Sequence, residues 1–330
     1  MSMVERVLGK KNAAAEDGHL PPDSGLIVNA AAIARPRRSA WEAVQLARDP
    51  KRPHSLDLIN RVFDRFQELH GDRGFRDDPA IVGGIAELDG RPVVIVAQQK
   101  GASTEENIVR SFGMPYPEGY RKAMRLYRLA AKFHLPLVTL VDTPGAYPGP
   151  EAEERGQAEA IATSIQTMSR LATPVVVVIV GEGGSGGALA LGVGDVVLAL
   201  ENAIYSVISP EGCAAILFRS AAEAERAATA LRLSAPDLLE FGVVDGLIPE
   251  PPAGAHTDHD ATARNVKAAL VAQVDRLSRV PTTDLLAARY ERFRAMGVFS
   301  EPSAQIPAPK REKVSKHSIV NSSVRRRSIG

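Results

Sequence analysis

Five of the seven residues from 181 to 187 are glycine, in the order Gly-Glu-Gly-Gly-Ser-Gly-Gly. The segment follows an apolar, β-branched run at 174–180 that is typical of a buried strand, and a short helix is predicted after it. The first N–H groups of a helix have no intrahelical acceptor, and glycine lets a ligand approach the backbone closely. Such a turn can stabilise an enolate or a tetrahedral oxyanion through backbone donors alone. Close packing of helix on strand is the structural alternative, but so many glycines exceed what packing requires.

A dinucleotide site is one competing interpretation of this segment. Gly181, Gly183 and Gly186 satisfy the pattern G-x-G-x-x-G, and Glu201 follows at the distance of a ribose ligand. However, the segment comes after several predicted strand–helix units instead of opening the fold. The match is therefore weak.

A serine hydrolase is the other competing interpretation. Residues 183–187 satisfy G-x-S-x-G, and Asp245 and His256 follow Ser185 in the chain order of α/β-hydrolases. Acidic residues and histidines are common downstream of any serine, and nothing in the sequence brings these two near Ser185. A small serine at a crowded turn is the simpler explanation.

Two further segments, 98–101 and 142–147, follow predicted strands and contain glycine. Ligands of parallel sheets bind beyond the carboxyl ends of the strands, where all three segments are expected to lie. We therefore expect one cleft, with a backbone N–H near Gly101 facing it.

The remaining pattern predicts an α/β fold. Strands at 81–88 and 92–97 flank Asp89-Gly90, the dipeptide favoured in two-residue hairpin turns. Further strands are predicted at 137–141, 174–180, 196–200 and 203–207. They alternate with helices, which indicates a layered fold with parallel strands. Helices are predicted at 40–47, 119–133, 152–171, 221–231 and 262–278. A further helix is predicted to begin with Ser55 as its cap and to contain the apolar positions Leu58, Ile59, Val62, Phe63 and Phe66.

Composition restricts the class of protein. Of 330 residues, 45% are hydrophobic and 24% are charged, which is typical of a soluble globular protein. Forty basic residues face thirty-nine acidic ones, so a globally basic nucleic-acid binder is excluded. The single cysteine, Cys213, excludes an internal disulfide and a cysteine-based metal site. No apolar run approaches the ~20 residues of a membrane span, and no signal peptide opens the chain, so we expect a cytoplasmic protein.

The two ends of the chain differ from its centre. Residues 1–38 lack periodicity and are predicted to be disordered, and residues 39–300 are predicted to form the catalytic domain. Residues 301–330 are predicted to be a basic disordered tail, since positions 310–330 carry seven basic residues against one acidic residue. Such a tail serves solubility more often than specific nucleic-acid binding, so no nucleic-acid partner is expected.

A long series of motifs closely resembles, in order and spacing, the carboxyltransferase α subunits of bacterial-type acetyl-CoA carboxylase. The resemblance covers about Ser39 to Gly297. The motifs are Arg52-Pro53, Gly71-Asp72-Arg73, Ile81-Val82-Gly83-Gly84-Ile85-Ala86, Gln99-Lys100-Gly101, Phe112-Gly113-Met114-Pro115, Pro117-Glu118-Gly119-Tyr120-Arg121-Lys122-Ala123, Asp142-Thr143-Pro144-Gly145-Ala146-Tyr147-Pro148-Gly149, Glu153-Glu154-Arg155-Gly156-Gln157, the 181–187 segment, Ile208-Ser209-Pro210-Glu211-Gly212 and Ile248-Pro249-Glu250-Pro251.

The resemblance implies a crotonase-like fold of repeated ββα units with peripheral helices. It implies transfer of a carboxyl group from biotin on a carrier protein to acetyl-CoA, which gives malonyl-CoA for fatty acid synthesis. It also implies a separate β subunit, usually with a zinc ribbon, in an α2β2 complex that works with the biotin carboxyl carrier protein and biotin carboxylase. No metal is expected on this chain. A stand-alone crotonase-type hydratase or decarboxylase of acyl-CoA is the alternative function.

The resemblance also implies the roles of individual residues. The backbone donors of Gly183 and Gly184 are expected to form an oxyanion hole, by analogy the one for the biotin ureido oxygen. Substrate or biotin is expected at four further positions, Lys100, Gly101, Gly145 and Gly186. The sequence departs from the family's usual pattern at Gln98 and Ala102, where a histidine and an arginine are common.

Overall fold

This computed structural model describes residues 37–297, which contain twelve α-helices, three short 3-10 helices and eight strands. The strands are β1 (Asp64–Glu68), β2 (Ile81–Leu88), β3 (Arg91–Gln98), β4 (Leu137–Thr143), β5 (Val175–Gly184), β6 (Val196–Leu200), β7 (Ile204–Ser206) and β8 (Gly246–Ile248). The helices are α1 (Ala40–Ala47), α2 (Ser55–Val62), α3 (Thr104–Val109), α4 (Pro117–Lys132), α5 (Pro150–Glu154), α6 (Gln157–Ser169), α7 (Ser185–Leu189), α8 (Pro210–Leu217), α9 (Ala224–Leu231), α10 (Ala235–Glu240), α11 (His259–Leu277) and α12 (Thr282–Arg294).

The strands form one sheet in the order β1-β2-β3-β4-β5-β6-β8, and β7 pairs with the far end of β5. The first three strands are antiparallel to one another, while β3 to β6 and β8 run parallel. Parallel neighbours require crossover connections, and helices such as α4 and α6 supply them. The predicted α/β fold with parallel strands is confirmed.

The hairpin between β2 and β3 turns at Asp89-Gly90, as predicted. Both residues have positive φ, 50° and 76°, and Leu88 pairs with Arg91 across the turn. This is the conformation of a two-residue hairpin, whose twist matches that of the strands. The turn therefore fixes the register that brings Ile81 opposite Gln98.

The core lies on both faces of the central strands. Every residue of β4 is buried, as is every residue of β5 from Val175 to Gly183. Helix α4 covers one face, with Tyr120, Leu126 and Tyr127 fully buried. A strand buried on both faces needs a continuous apolar run, which is why the 174–180 pattern predicted it correctly.

Two predicted features of α2 are wrong. Ser55 is the first residue of the helix rather than its cap, and its hydroxyl donates to the Gln98 carbonyl oxygen at 2.7 Å. Phe66 lies on β1, because the helix ends at Val62 and the chain then pairs with β2. Phe66 still packs on the core, so the same apolar position suited either element.

The helix predicted at 152–171 is divided into α5 and α6. Gly156 separates them with φ of 81°, a left-handed conformation that glycine adopts at little cost. The helices predicted at 119–133 and 262–278 are observed with small changes of their bounds, and the one at 40–47 is observed without change.

Residues 1–36 and 298–330, which include most of the two predicted disordered segments, lie outside the described residues. Arg37 and Arg38 are described, and their guanidinium groups bond to Asp237 and to the Pro252 carbonyl oxygen. Among the described helices, none is both long enough and apolar enough to span a membrane.

Arg289 attaches the last helix, α12, to the sheet. Its guanidinium group is buried and donates to both carboxylate oxygens of Asp195 at 2.7 and 2.8 Å. It also donates to the carbonyl oxygens of Met168 in the last turn of α6 and of Leu171 and Thr173 in the segment before β5. One side chain therefore satisfies the carboxylate and three backbone acceptors.

We expect Arg289→Met to lower the free energy of unfolding by about 3–5 kcal/mol, because Asp195 would keep a buried charge without its cation. Urea denaturation measures the difference. Arg294→Met, at the exposed end of the same helix, is the control and should change stability by no more than about 0.5 kcal/mol. Equal losses in the two variants would contradict the assigned role of Arg289.

Candidate functional site

The three segments singled out in the sequence lie at one edge of the sheet. Ala97 of β3 is level with Leu140 of β4, and Thr143 at the end of β4 is level with Gly183 of β5. All three strands are parallel, so the residues that follow them lie at their common carboxyl edge. The predicted shared location of these segments is therefore observed.

The glycine segment is mostly strand, which corrects its assignment to a loop. Residues Gly181–Gly184 extend β5, and Gly183 has register partners on both sides, Thr143 and Tyr205. The turn itself is confined to Ser185, whose φ is 51°, and α7 starts there. Gly183 is thus a paired sheet residue, and the chain leaves the sheet only after Gly184.

Two of the glycines permit close contact with the chain that follows β4. A Cβ atom on Gly184 would lie 2.0 Å from the Pro144 carbonyl oxygen, and one on Gly187 would lie 2.5 Å from the Ala146 nitrogen. Both distances are far below van der Waals contact with rigid backbone. Gly184 and Gly187 are therefore needed for packing, whatever else they do.

Gly186 and Gly145 differ from these two because they have space. A Cβ atom on Gly186 would lie 3.5 Å from a methyl carbon of Ile161, an ordinary contact. A Cβ atom on Gly145 would have no neighbour within 4 Å. These positions border open volume at the carboxyl edge.

The backbone N–H groups of Gly101 and Gly145, two positions at which substrate or biotin is expected, are bonded within the chain. The N–H of Gly101 donates to Oδ1 of Asn107 at 3.0 Å, and that of Gly145 donates to the Thr143 hydroxyl at 3.1 Å. The N–H of Gly101 itself is therefore not open to a ligand, because the side chain of Asn107 closes the loop on itself.

Gln98 connects the three strand ends. It is fully buried, its amide nitrogen donates to the Gly187 carbonyl oxygen at 2.7 Å, and its amide oxygen accepts the Asp142 N–H at 3.2 Å. The Gln98 side chain therefore holds the ends of β3 and β4 and the start of α7 in fixed positions relative to one another.

Lys100 lies in a buried group of charges. Its ammonium group is 2.8 Å from Oδ1 of Asp142 and 3.4 Å from Oε2 of Glu182. Burial opposes the charged form, but attraction to these carboxylates raises the pKa of Lys100 above its ordinary value. Burial likewise opposes ionisation of Asp142, yet Lys100 and then His54 hold the pKa of Asp142 well below its usual range.

Arg48 continues this group toward the surface. At the end of α1, its guanidinium donates to Oε1 of Glu182 at 2.6 Å and to Oε1 of Glu211 at 2.8 Å. Sequence reasoning missed Arg48, Asp142 and Glu182. A signal existed for Glu182, since a carboxylate within a buried glycine strand requires a cationic partner.

Arg121 and Lys122, two cations of the motif at 117–123, are held by internal ion pairs. Arg121 donates to Asp72 at 2.8 Å, and the fully buried Lys122 contacts Asp77. Both side chains therefore stabilise the segment before β2.

The hydrolase interpretation of Ser185 is not supported by geometry. The N–H of Asp245 donates to the Val197 carbonyl oxygen, and Val197 is level with Val177 on β5. Gly184 lies seven residues further along β5, which at about 3.3 Å per residue is about 23 Å. Asp245 therefore lies toward the opposite edge from Ser185.

A cavity of about 440 Å³ lies beside the segment that follows β4. Ile161, whose methyl carbon would contact a Cβ atom on Gly186, forms part of its wall. The rest of the lining comes from the segment after β4 and the first turn of α6, namely Ala146, Tyr147, Pro148, Glu153, Gly156, Gln157, Ala158 and Glu159. The volume is within the range of small-molecule sites.

Solved structures share this fold. The transcarboxylase 12S structure with methylmalonyl-coenzyme A and methylmalonic acid is 26% identical, with a TM-score of 0.54, and the match covers 68% of this chain and 42% of that chain. A Pseudomonas malonate decarboxylase hetero-tetramer in complex with coenzyme A is 20% identical, with a TM-score of 0.55, over 66% of this chain and 88% of that chain. The fold is that of the crotonase-like carboxyltransferases, which confirms the predicted fold class.

The chain belongs to the acetyl co-enzyme A carboxylase carboxyltransferase-like family, whose sequence model matches residues 35–297. The acetyl-coenzyme A carboxylase carboxyl transferase subunit alpha of Thermus thermophilus is 60% identical over 262 residues, 79% of this chain and 84% of the relative. The subunit of the same name from Methylococcus capsulatus is 56% identical over 265 residues, 80% of this chain and 83% of the relative. The resemblance stated from the motifs is confirmed.

We expect Lys100→Met to lower the free energy of unfolding by about 3–5 kcal/mol at pH 7, because two buried carboxylates lose their shared cation. The depressed pKa of Asp142 contributes stability above its unfolded value of ~3.9, and that contribution is lost as pH falls through the folded value. Without the cation, burial raises the folded pKa of Asp142 above the unfolded value, so protonation stabilises the variant and its deficit should shrink from pH 7 toward pH 4.

Denaturant titrations of both proteins at several pH values test this expectation, with the exposed Lys132→Met as control. A deficit independent of pH would show that lost packing, rather than lost charge, is the cause.

Proposed function

We propose that this chain is the α subunit of an acetyl-CoA carboxylase carboxyltransferase. The single observation that carries the proposal is the family match over residues 35–297, together with 60% identity to a subunit of that name. The stand-alone hydratase or decarboxylase has no comparable support. As an α subunit, the chain is a transferase component that acts in a complex.

The proposed reaction moves a carboxyl group from the ureido nitrogen of biotin to the methyl carbon of acetyl-CoA. The nitrogen–carboxyl bond breaks, the new carbon–carbon bond forms, and one methyl proton passes to the ureido nitrogen. Negative charge develops on the ureido oxygen and on the thioester oxygen during this exchange. Fixed donors directed at those oxygens therefore lower the barrier.

We assign the donors to the backbone around the turn, at Gly184 and Gly186, rather than to Gly183. Gly183 has strand partners on both sides, whereas Gly184 pairs only with Ser206 of β7 and is the cap of α7, and Gly186 is in the first turn of that helix. N–H groups at the start of a helix have no intrahelical acceptor. Gly186 also lies next to Ile161, a residue of the cavity wall, and we propose that a ligand in the cavity reaches its backbone past this side chain.

The cavity beside Gly186 fits the bicyclic head of biotin. Ala146, Pro148 and Ile161 supply apolar surface for the ring carbons, and its size suits a compact ring system. Gly145 leaves the adjoining space free of side-chain atoms. Lys100 is proposed to act indirectly, since its ammonium group is already held by Asp142 and Glu182.

The complex is proposed to be cytoplasmic and to contain a β subunit that carries the zinc ribbon and the opposing oxyanion hole, in an α2β2 arrangement. Acetyl-CoA is the proposed acceptor, and biotin is proposed to arrive on a carrier protein loaded by biotin carboxylase. The name of the relatives, subunit alpha, supports a multi-subunit enzyme.

The purified chain alone should give no malonyl-CoA, because half of the proposed site belongs to another polypeptide. Adding a cognate β subunit and carboxylated carrier protein should start transfer, measured by chromatography of the CoA esters. Full activity of the isolated chain would contradict the proposal and favour the stand-alone acyl-CoA enzyme.

We expect Gly186→Ala to reduce kcat/KM of the assembled complex by about a hundredfold while leaving stability and assembly intact. The added methyl group makes only an ordinary contact with Ile161, but it occupies the space in which the reacting oxygen must lie. Thermal unfolding and complex size are measured on the same preparation.

Two variants of the same segment provide the controls. Ser185→Ala keeps every backbone donor and should retain most activity, whereas a nucleophilic serine would make it inactive. Gly184→Ala should lower stability, since its methyl carbon would overlap the Pro144 carbonyl oxygen. Normal turnover of Gly186→Ala would remove Gly186 from the proposed site.

A further inference from the structure

Gln157, the first residue of α6, has an amide group whose orientation is fixed by its neighbours. Its nitrogen donates to the carbonyl oxygens of Pro115 and Tyr147, at 2.9 and 3.0 Å. Only the NH₂ end of an amide can serve two carbonyl acceptors, so nitrogen and oxygen cannot be interchanged. The amide oxygen Oε1 must therefore face away from both carbonyl groups.

Seven buried side-chain polar atoms have no hydrogen-bond partner among the described residues, and this oxygen is the one whose residue lines the cavity. The side chain is more than nine-tenths buried, and Oε1 has no hydrogen-bond partner among the described residues. A buried acceptor without a donor is costly, and few such groups persist in folded proteins without a role. A ligand that supplies an N–H group would remove this cost.

Gln157 is also part of the cavity wall beside the glycine segment. Tyr147, whose carbonyl oxygen Gln157 holds, lies in the same wall, as does Ile161 next to Gly186. The unpartnered acceptor therefore belongs to a residue of the cavity wall, and Gly186, one of the proposed donors, is next to Ile161 of the same wall. A ligand there with an oxygen acceptor and an adjacent N–H could use both.

We infer that Oε1 of Gln157 accepts a hydrogen bond from the ureido N–H of bound biotin, on the nitrogen that does not carry the carboxyl group. This rests on the proposed function. The ureido ring presents a carbonyl oxygen and an N–H side by side, which matches a backbone donor and a carbonyl acceptor on one cavity wall. Because Oε1 is covered in the free chain, binding includes a small displacement of that wall.

The amide groups of the CoA arm are the other source of such an N–H. They lie on a long flexible chain, whereas the ureido N–H is fixed in the ring that must meet the glycine segment. The ureido group is therefore favoured, and the experiment has a separate arm for each source.

The test uses the assembled complex and the reverse reaction, transfer from malonyl-CoA to free biotin. The probe is a carbamate analogue of biotin in which the second ureido N–H is replaced by a ring oxygen of similar size. For the unmodified chain, KM for the analogue should exceed KM for biotin about tenfold, which corresponds to about 1.4 kcal/mol. Equal KM values would overturn the inference without any variant.

In the Gln157→Met variant, KM for biotin should rise to the KM for the analogue. The variant should therefore no longer discriminate between the two compounds. A merely structural role of Gln157 would raise both KM values and leave their ratio unchanged, and that result would overturn the inference. Gln166→Met, an exposed position on the same helix, should keep the original ratio.

The second arm measures KM for malonyl-CoA. An effect of Gln157→Met confined to malonyl-CoA would assign the acceptor to the CoA arm and overturn the inference. If the unmodified complex carboxylates neither biotin nor its analogue, the proposed function fails, which is distinguishable from failure of discrimination alone.

Discussion

The contact between the end of β5 and the backbone after β4 is the constraint on which the rest of the site depends. At Gly184 and Gly187 the two chain segments are so close that a Cβ atom would overlap backbone atoms. A side chain at either position would separate the segments by more than an ångström. The cavity, the turn at Ser185 and the start of α7 all take their positions from this contact.

Buried polar groups hold the contact in place from the side of the sheet. Gln98 bonds to the Gly187 carbonyl oxygen and to the Asp142 N–H, while Oδ1 of Asp142 accepts the Glu182 N–H. Asp142 is thus both a backbone acceptor and the partner of Lys100. Gln98, Asp142 and Lys100 each have partners of opposite character, and such a network makes the edge rigid.

Elements that have a local sequence signal were predicted correctly. Predictions were wrong where pairing between segments distant in sequence determines the secondary structure. Asp89-Gly90 specifies its turn locally, and the apolar run before Gly181 specifies a buried strand. Gly181–Gly184 carry the composition of a loop, but pairing with β7 makes them strand. In the site, the glycine segment and Lys100 were found by type and spacing, whereas Arg48 lies far away in sequence and only the fold places it beside Glu182.

The charges at this edge are bonded mainly to one another, which suits a reaction whose charge appears only during transfer. Lys100 and Arg48 form ion pairs with Asp142, Glu182 and Glu211 within the chain. A free cation would bind an anionic ground state as strongly as the transition state and so would not accelerate the reaction. Backbone N–H groups carry partial charges, need no reorganisation and gain most when a full negative charge forms opposite them. The full charges of the chain thus form internal ion pairs that stabilise the structure, and the fixed, weaker dipoles of backbone N–H groups face the substrate.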